Sequence, residues 1–168
     1  GAAVGPVAIA SIGEPRLRPL AALLAHQTEE WVWPGNFLPW INRTVMGSDD
    51  DEFPIDRRLG LLINVGFGWG LSLATFAGPR AAGLPAAIYV SHLGNAGLHI
   101  GWALKHRKYD PGVVTASAAL LPVGVLGLRK LIKDPEVRRR QLYAGAAAGV
   151  ALGAGLMPLL KLRLSRRR

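Results

Sequence analysis

The sequence predicts an all-α integral membrane helical bundle of four to five transmembrane helices, and three observations carry that prediction. The stretches 59–79, 81–104, 111–128 and 141–160 contain no Asp, Glu, Lys or Arg, and a helix needs about 20 mostly apolar residues to cross the hydrocarbon core. Half of the 168 residues are apolar and only 18% are charged, giving a mean hydropathy of +0.24. The chain also holds 21 Gly and 12 Pro, too many for a soluble helical bundle but tolerated in helices that sit in lipid. The length allows one domain, 1–168. Within it a motif-bearing part covers 16–112, C-terminal helices cover 113–162 and a basic tail covers 163–168.

The elements follow in order. Residues 1–13 are small and apolar without a basic flank ahead of them, which makes a poor signal peptide. Pro15 opens a first, short helix over 16–31, which spans only with a tilt or with help from its neighbours. Trp31, Trp33, Phe37 and Trp40 then mark 31–41 as an interfacial stretch, because rings with a polar edge favour the headgroup level. Asp49, Asp50, Asp51 and Glu52 form an acidic loop in water. A second helix is expected over 55–76, a break at Gly78-Pro79, and a third helix over 85–105. The Tyr109-Asp110-Pro111-Gly112 turn leads to a fourth over 113–133, and Asp134-Pro135 separates it from a fifth over 136–162. Gly145, Gly149 and Gly153 repeat every four residues on one face of that fifth helix, the spacing of close helix packing. Gly66-Phe67-Gly68-Trp69-Gly70 lies inside a charge-free run with no strand ahead of it, so it is no phosphate loop.

A net charge of +9 invites a nucleic-acid reading, but the basic residues sit in the connections. Lys105, Arg107 and Lys108, then Arg129, Lys130 and Lys133, then Arg138 to Arg140, and finally Arg166 to Arg168 are placed to meet anionic lipid headgroups. The bilayer is therefore the expected partner and nucleic acid is not. With five crossings, nine basic residues collect on one side and eleven on the other, a difference too small to set the orientation by the positive-inside rule. The expected location is an integral position in a bacterial-type cell membrane. The absence of Cys excludes disulfides and cysteine-ligated metal sites.

Nine of the 11 acidic residues, Asp110 among them, are read as lying near helix ends or in loops. Glu29 and Glu30 instead close an apolar helical run, and with His26 they stand at i, i+3 and i+4 on one face. A His and two carboxylates on one face can ligate a metal, or form a proton-transfer pair. The plainer alternative is a polar helix end in water. The third helix adds a stripe of His92, Asn95 and His99 within its charge-free run. Residues seven apart drift only about 20° around a helix, so the two histidines share a side. Polar groups at such depth face the bundle interior and are functional by default, with interhelical hydrogen bonding as the alternative. His106, among Lys105, Arg107 and Lys108, reads as solvated.

These residues resemble a family of uncharacterised polytopic membrane proteins, the HXXEE-domain family. The motifs are His26-Gln27-Thr28-Glu29-Glu30, then His99 following Asn95 at four residues, then Tyr109-Asp110-Pro111-Gly112, with Trp33-Pro34 after the first. The likeness covers roughly 25–112. It implies a small polytopic protein and implies no activity. His92 is not part of that pattern.

The expected function is a membrane-embedded enzyme acting on a lipophilic substrate through a His/Glu site. In its metal-dependent form His26, Glu29, Glu30 and His99 are ligands, His92 is a further candidate ligand, and Asn95 orients a ligand or the substrate. Mixed His and carboxylate sets suit zinc or non-haem iron. A mononuclear centre is expected over a two-metal one, since the motif occurs once. In a metal-free form one glutamate is the general base, its neighbour stays protonated, and His99 and Asn95 stabilise developing charge. The alternative from another class is an accessory subunit of a larger membrane complex, its polar residues acting as glue or as haem ligands. The glycine face of the fifth helix would then meet a membrane-protein partner.

Overall fold

The computed structural model describes residues 15–77 and 81–167. The predicted break at Gly78-Pro79, and everything read from residues 1–14, lie outside them. Among the described residues there are helices and connections and no strand. Six helices can be distinguished. They are α1 (Arg18–Trp31), the short α2 (Phe37–Trp40), α3 (Arg57–Phe76), α4 (Gly83–His106), α5 (Val113–Lys133) and α6 (Arg139–Ser165). The ends of the five expected helices lie within three residues of expectation, and both ends of α5 coincide with it. Pro19 falls in the first turn of α1, where its missing N–H costs nothing. Asp56 caps α3 by accepting from Leu59 N at 2.8 Å, and Arg107 closes α4 in the left-handed region at φ 52°.

Three of these helices, α3, α5 and α6, are long and apolar enough to cross a membrane. They bury only 17%, 22% and 12% of their most apolar windows inside the protein. Such outward apolar surface is what a helix set in hydrocarbon presents. α4 has the length, at 24 residues, but His92, Asn95 and His99 lower its hydropathy, and it packs between α5 and α6.

α4 is gripped from both sides through glycines. A Cβ on Gly145 of α6 would stand 2.0 Å from Gly83 O, and one on Gly149 would stand 2.6 Å from Ala87 O. On the other side, a Cβ on Gly127 of α5 would overlap the Tyr89 ring at 2.2 Å. Gly153 has open space. Gly145 and Gly149 thus serve close helix packing, as their spacing predicts, and their partner is α4 of the same chain. Where α1, α4 and α5 meet, Ala22, Ala96, Ala116, Ala119 and Leu120 form a small-residue core. A second core joins Ile41, Met46 and Ile55 to Leu160 near the end of α6.

The helices are not uniformly α. Turns of π-helix run over Ile41–Val45, Leu62–Trp69 and Ala116–Leu120. In the second of these, the Asn64 carbonyl accepts from Gln27 Nε2 at 3.3 Å, and Asn64 Oδ1 accepts from the same nitrogen at 3.0 Å. The wider turn lets a backbone carbonyl serve a neighbouring helix.

Candidate metal centre

The C-terminal end of α1, the later part of α4 and the turn into α5 converge at one end of the bundle. His26, Glu29 and Glu30 are all buried on the last turns of α1. His99 reaches them from α4, its ring centroid 4.8 Å from that of His26. His26 Nε2 lies 3.4 Å and His99 Nε2 3.5 Å from the same Glu30 oxygen, Oε1. The ligand atoms offered by His26, Glu30 and His99 all lie within 4.8 Å of one another.

The other nitrogen of each imidazole is fixed. His99 Nδ1 donates to Asp110 Oδ1 at 2.6 Å. Asp110 is wholly buried, and its second oxygen has no partner among the described residues, so His99 is its main compensation. Thr115 Oγ1 gives its proton to Glu29 Oε2 at 2.5 Å, so its oxygen accepts from His26 Nδ1 at 3.1 Å. With Nδ1 of each ring engaged elsewhere, both rings present Nε2 to the Glu30 carboxylate. Asn95 Nδ2 donates to His26 Nε2 at 3.2 Å, on the flank of the same space.

Glu29 and Glu30 part company. Glu30 faces α4. Glu29 faces the start of α5, where it accepts from Val114 N at 3.2 Å, Thr115 N at 2.7 Å and Tyr109 Oη at 2.8 Å. Burial and the Glu29 carboxylate push the Tyr109 phenol above its ordinary range, so it stays a donor. Glu29 thus satisfies free N–H groups at a helix N-terminus. His92 is buried but apart from the cluster, its Nε2 3.0 Å from Pro19 O.

Asp110 and Thr115 take part although the sequence did not single them out; Asp110 was read as a loop acid. The available signal was the turn itself, since its Tyr109, Asp110 and Gly112 all touch the site. Gly112 holds φ at +116°, and a Cβ there would stand 2.7 Å from His26 Cε1 and 2.8 Å from His99 Cε1. The 31–41 stretch is only partly interfacial. Trp33 is 79% exposed, whereas Trp40 turns inward and stacks on His99 at 6.0 Å.

Fold and site together define an all-helical protein with three helices long and apolar enough to cross a membrane and a buried His/Glu cluster, in which His26, Glu30 and His99 could hold a metal ion. A family model described as "Protein of unknown function with HXXEE motif" matches residues 19–126, and the chain belongs to that family. The match takes in α1 to α4 and much of α5, and stops short of α6. No curated protein and no solved structure matches the chain.

Proposed function

We propose a membrane-embedded enzyme that acts on a lipophilic substrate at a single metal ion held by His26 Nε2, His99 Nε2 and a Glu30 oxygen. The observation that carries this is the convergence of two imidazole Nε2 atoms on one oxygen of a buried carboxylate. Distances of 3.4 and 3.5 Å are long for direct charge-assisted hydrogen bonds, which close to about 2.7–2.9 Å, and suit groups that share an ion between them. Asp110 and the Thr115–Glu29 pair then act as the outer partners that fix tautomer and ring orientation.

Two histidines and one carboxylate leave coordination positions open, as catalytic zinc sites and non-haem iron sites do. The ion would supply Lewis acidity there. Once the ion takes the His26 lone pair, Asn95 Nδ2 is free to donate to whatever fills the open position. Glu29, with its lone pairs spent on α5, anchors rather than ligates, and His92 belongs to the packing of α4 on Pro19. α1 and α4 complete a set of five crossing helices around the site. A haem is disfavoured, because His26 and His99 leave no gap between them for a macrocycle.

The test is elemental analysis of the protein purified in mild detergent and reconstituted with Zn(II) or Fe(II). One ion per chain is expected, lost in Glu30→Gln and His99→Ala and retained in His92→Ala. Asp110→Asn should weaken binding by about 10–100-fold. Absence of bound metal in the folded wild-type protein after reconstitution rejects the reading.

A further inference from the structure

Glu30 and Asp110 place two carboxylates inside the cluster, both buried. Among the described residues their ion-pair partners are imidazoles alone, His26 and His99 for Glu30 and His99 for Asp110. One oxygen of Asp110 has no partner among them at all. Glu29 stands outside this balance, because the N–H groups at the start of α5 and the Tyr109 hydroxyl already meet its charge. Buried charge is tolerated where it is balanced. A divalent ion between neutral imidazoles brings two positive charges against the two negative ones of Glu30 and Asp110. The loaded site is then neutral before any further ligand enters.

A neutral, buried site discriminates among ligands. An anion at the open position leaves a net negative charge in a low dielectric, and an uncharged donor leaves none. The flank of the site narrows the ligand again. Asn95 Nδ2 lies 3.2 Å from His26 Nε2, and its N–H calls for an acceptor oxygen. A carbonyl oxygen has two lone pairs, one for the ion and one for Asn95, and it brings no hydrogen that needs an acceptor of its own. Asn95 is only partly buried, and Gly94 and Leu98 near it on α4 are exposed, so this flank adjoins an apolar outer surface.

We propose that the open position takes the uncharged carbonyl oxygen of a lipophilic ester, amide or ketone, held jointly by the ion and Asn95, and that Asp110 excludes carboxylates and other anions. This rests on the metal reading above and names its substrate class. Asp110 thus does more than orient His99, since its charge fills the balance that an anionic ligand would otherwise fill.

The test uses protein loaded with Co(II), whose visible absorption reports its ligands. It is titrated with two probes of equal chain length, N-methyldodecanamide and dodecanoate, at concentrations corrected for uptake into detergent. The amide should bind about tenfold or more tighter than dodecanoate. Asp110→Asn, with Co(II) in excess so that the weakened site stays filled, should raise dodecanoate affinity about tenfold or more and leave that of the amide nearly unchanged. Asn95→Leu should lower amide affinity about tenfold at unchanged Co(II) content. A wild-type protein that takes up no Co(II) overturns the metal reading and this inference with it. Uptake of Co(II) with dodecanoate bound as tightly as the amide, or with neither probe bound, overturns the inference alone. So does an Asp110→Asn variant that holds Co(II) and gains nothing toward dodecanoate; if that variant holds no Co(II), the two probes on the wild-type protein decide.

Discussion

At the scale of single residues, Gly112 has the least slack. Its φ of +116° is strained for any side chain, and a Cβ would press on both imidazoles at once. Backbone strain and overpacking each cost about 1–3 kcal/mol. Gly112→Ala should therefore lower stability by about 2–6 kcal/mol, and it should empty the metal site even where the chain still folds. Thermal unfolding in detergent, read beside metal content, checks both. The two glutamates should fail differently. Glu29→Gln keeps one oxygen for donors that now use two, and turns an NH2 toward them, costing about 1–3 kcal/mol. Glu30→Gln removes a ligand, so metal content should fall further than stability. Equal loss of metal in both variants would contradict the separation of anchor and ligand. His26, Glu30 and His99 were legible from the sequence because each is a polar residue in an apolar run. Asp110 was not, because an acid beside Pro and Gly reads as a solvated turn until the helices that bury it are in place.

At the scale of elements, the charge-free runs located α3 to α6 because a long apolar helix carries its charges at its ends, whether it turns outward as α3, α5 and α6 do or packs between neighbours as α4 does. They said nothing of hydrogen-bond register, so the π turns within α3 and α5 were invisible. The four-residue glycine spacing correctly marked a packing face and left its partner open. The partner is α4, whose own backbone supplies the contact. A carbonyl cannot swing aside as a side chain does, so the seam should be intolerant where it is closed and tolerant where it is open. Gly145→Ala should separate α4 from α6 and destabilise the protein by about 1–3 kcal/mol or more, while Gly153→Ala, with nothing within 4 Å, should be close to neutral. Denaturation of the two variants side by side distinguishes this from a general helix-propensity gain, which would stabilise both.

At the scale of the molecule, the absence of Cys makes single-cysteine scanning clean. Positions within α3, α5 and α6 should resist aqueous thiol reagents in the bilayer, while positions in the 47–54 loop should react freely. Free labelling along the middle of α5 would remove the membrane assignment. The same loop ties the far end of α6 to the site end of the bundle. Arg163 donates to Pro54 O at 2.7 Å and to Asp56 Oδ2 at 3.2 Å, and Arg167 donates to Asp50 Oδ2 at 2.9 Å. Both guanidinium groups lie over the Phe53 ring, at 5.2 and 4.5 Å. The Leu59 N–H and then Arg163 hold the Asp56 carboxyl below its ordinary value of 3.8, and Arg43 does the same for Asp51. A carboxyl lowered in the folded state contributes fully above its unfolded pKa of about 4, and the contribution fades as pH falls through the folded value. The clamp should therefore hold at neutral pH and loosen below about pH 4, with no loosening on the alkaline side. Spin labels at Glu52 and Arg166 should report a short distance at neutral pH that lengthens in acid, and Asp56→Asn should show part of that lengthening at neutral pH already. A distance unchanged into acid would mean that the Leu160 core, and not the ion pairs, fixes the end of α6.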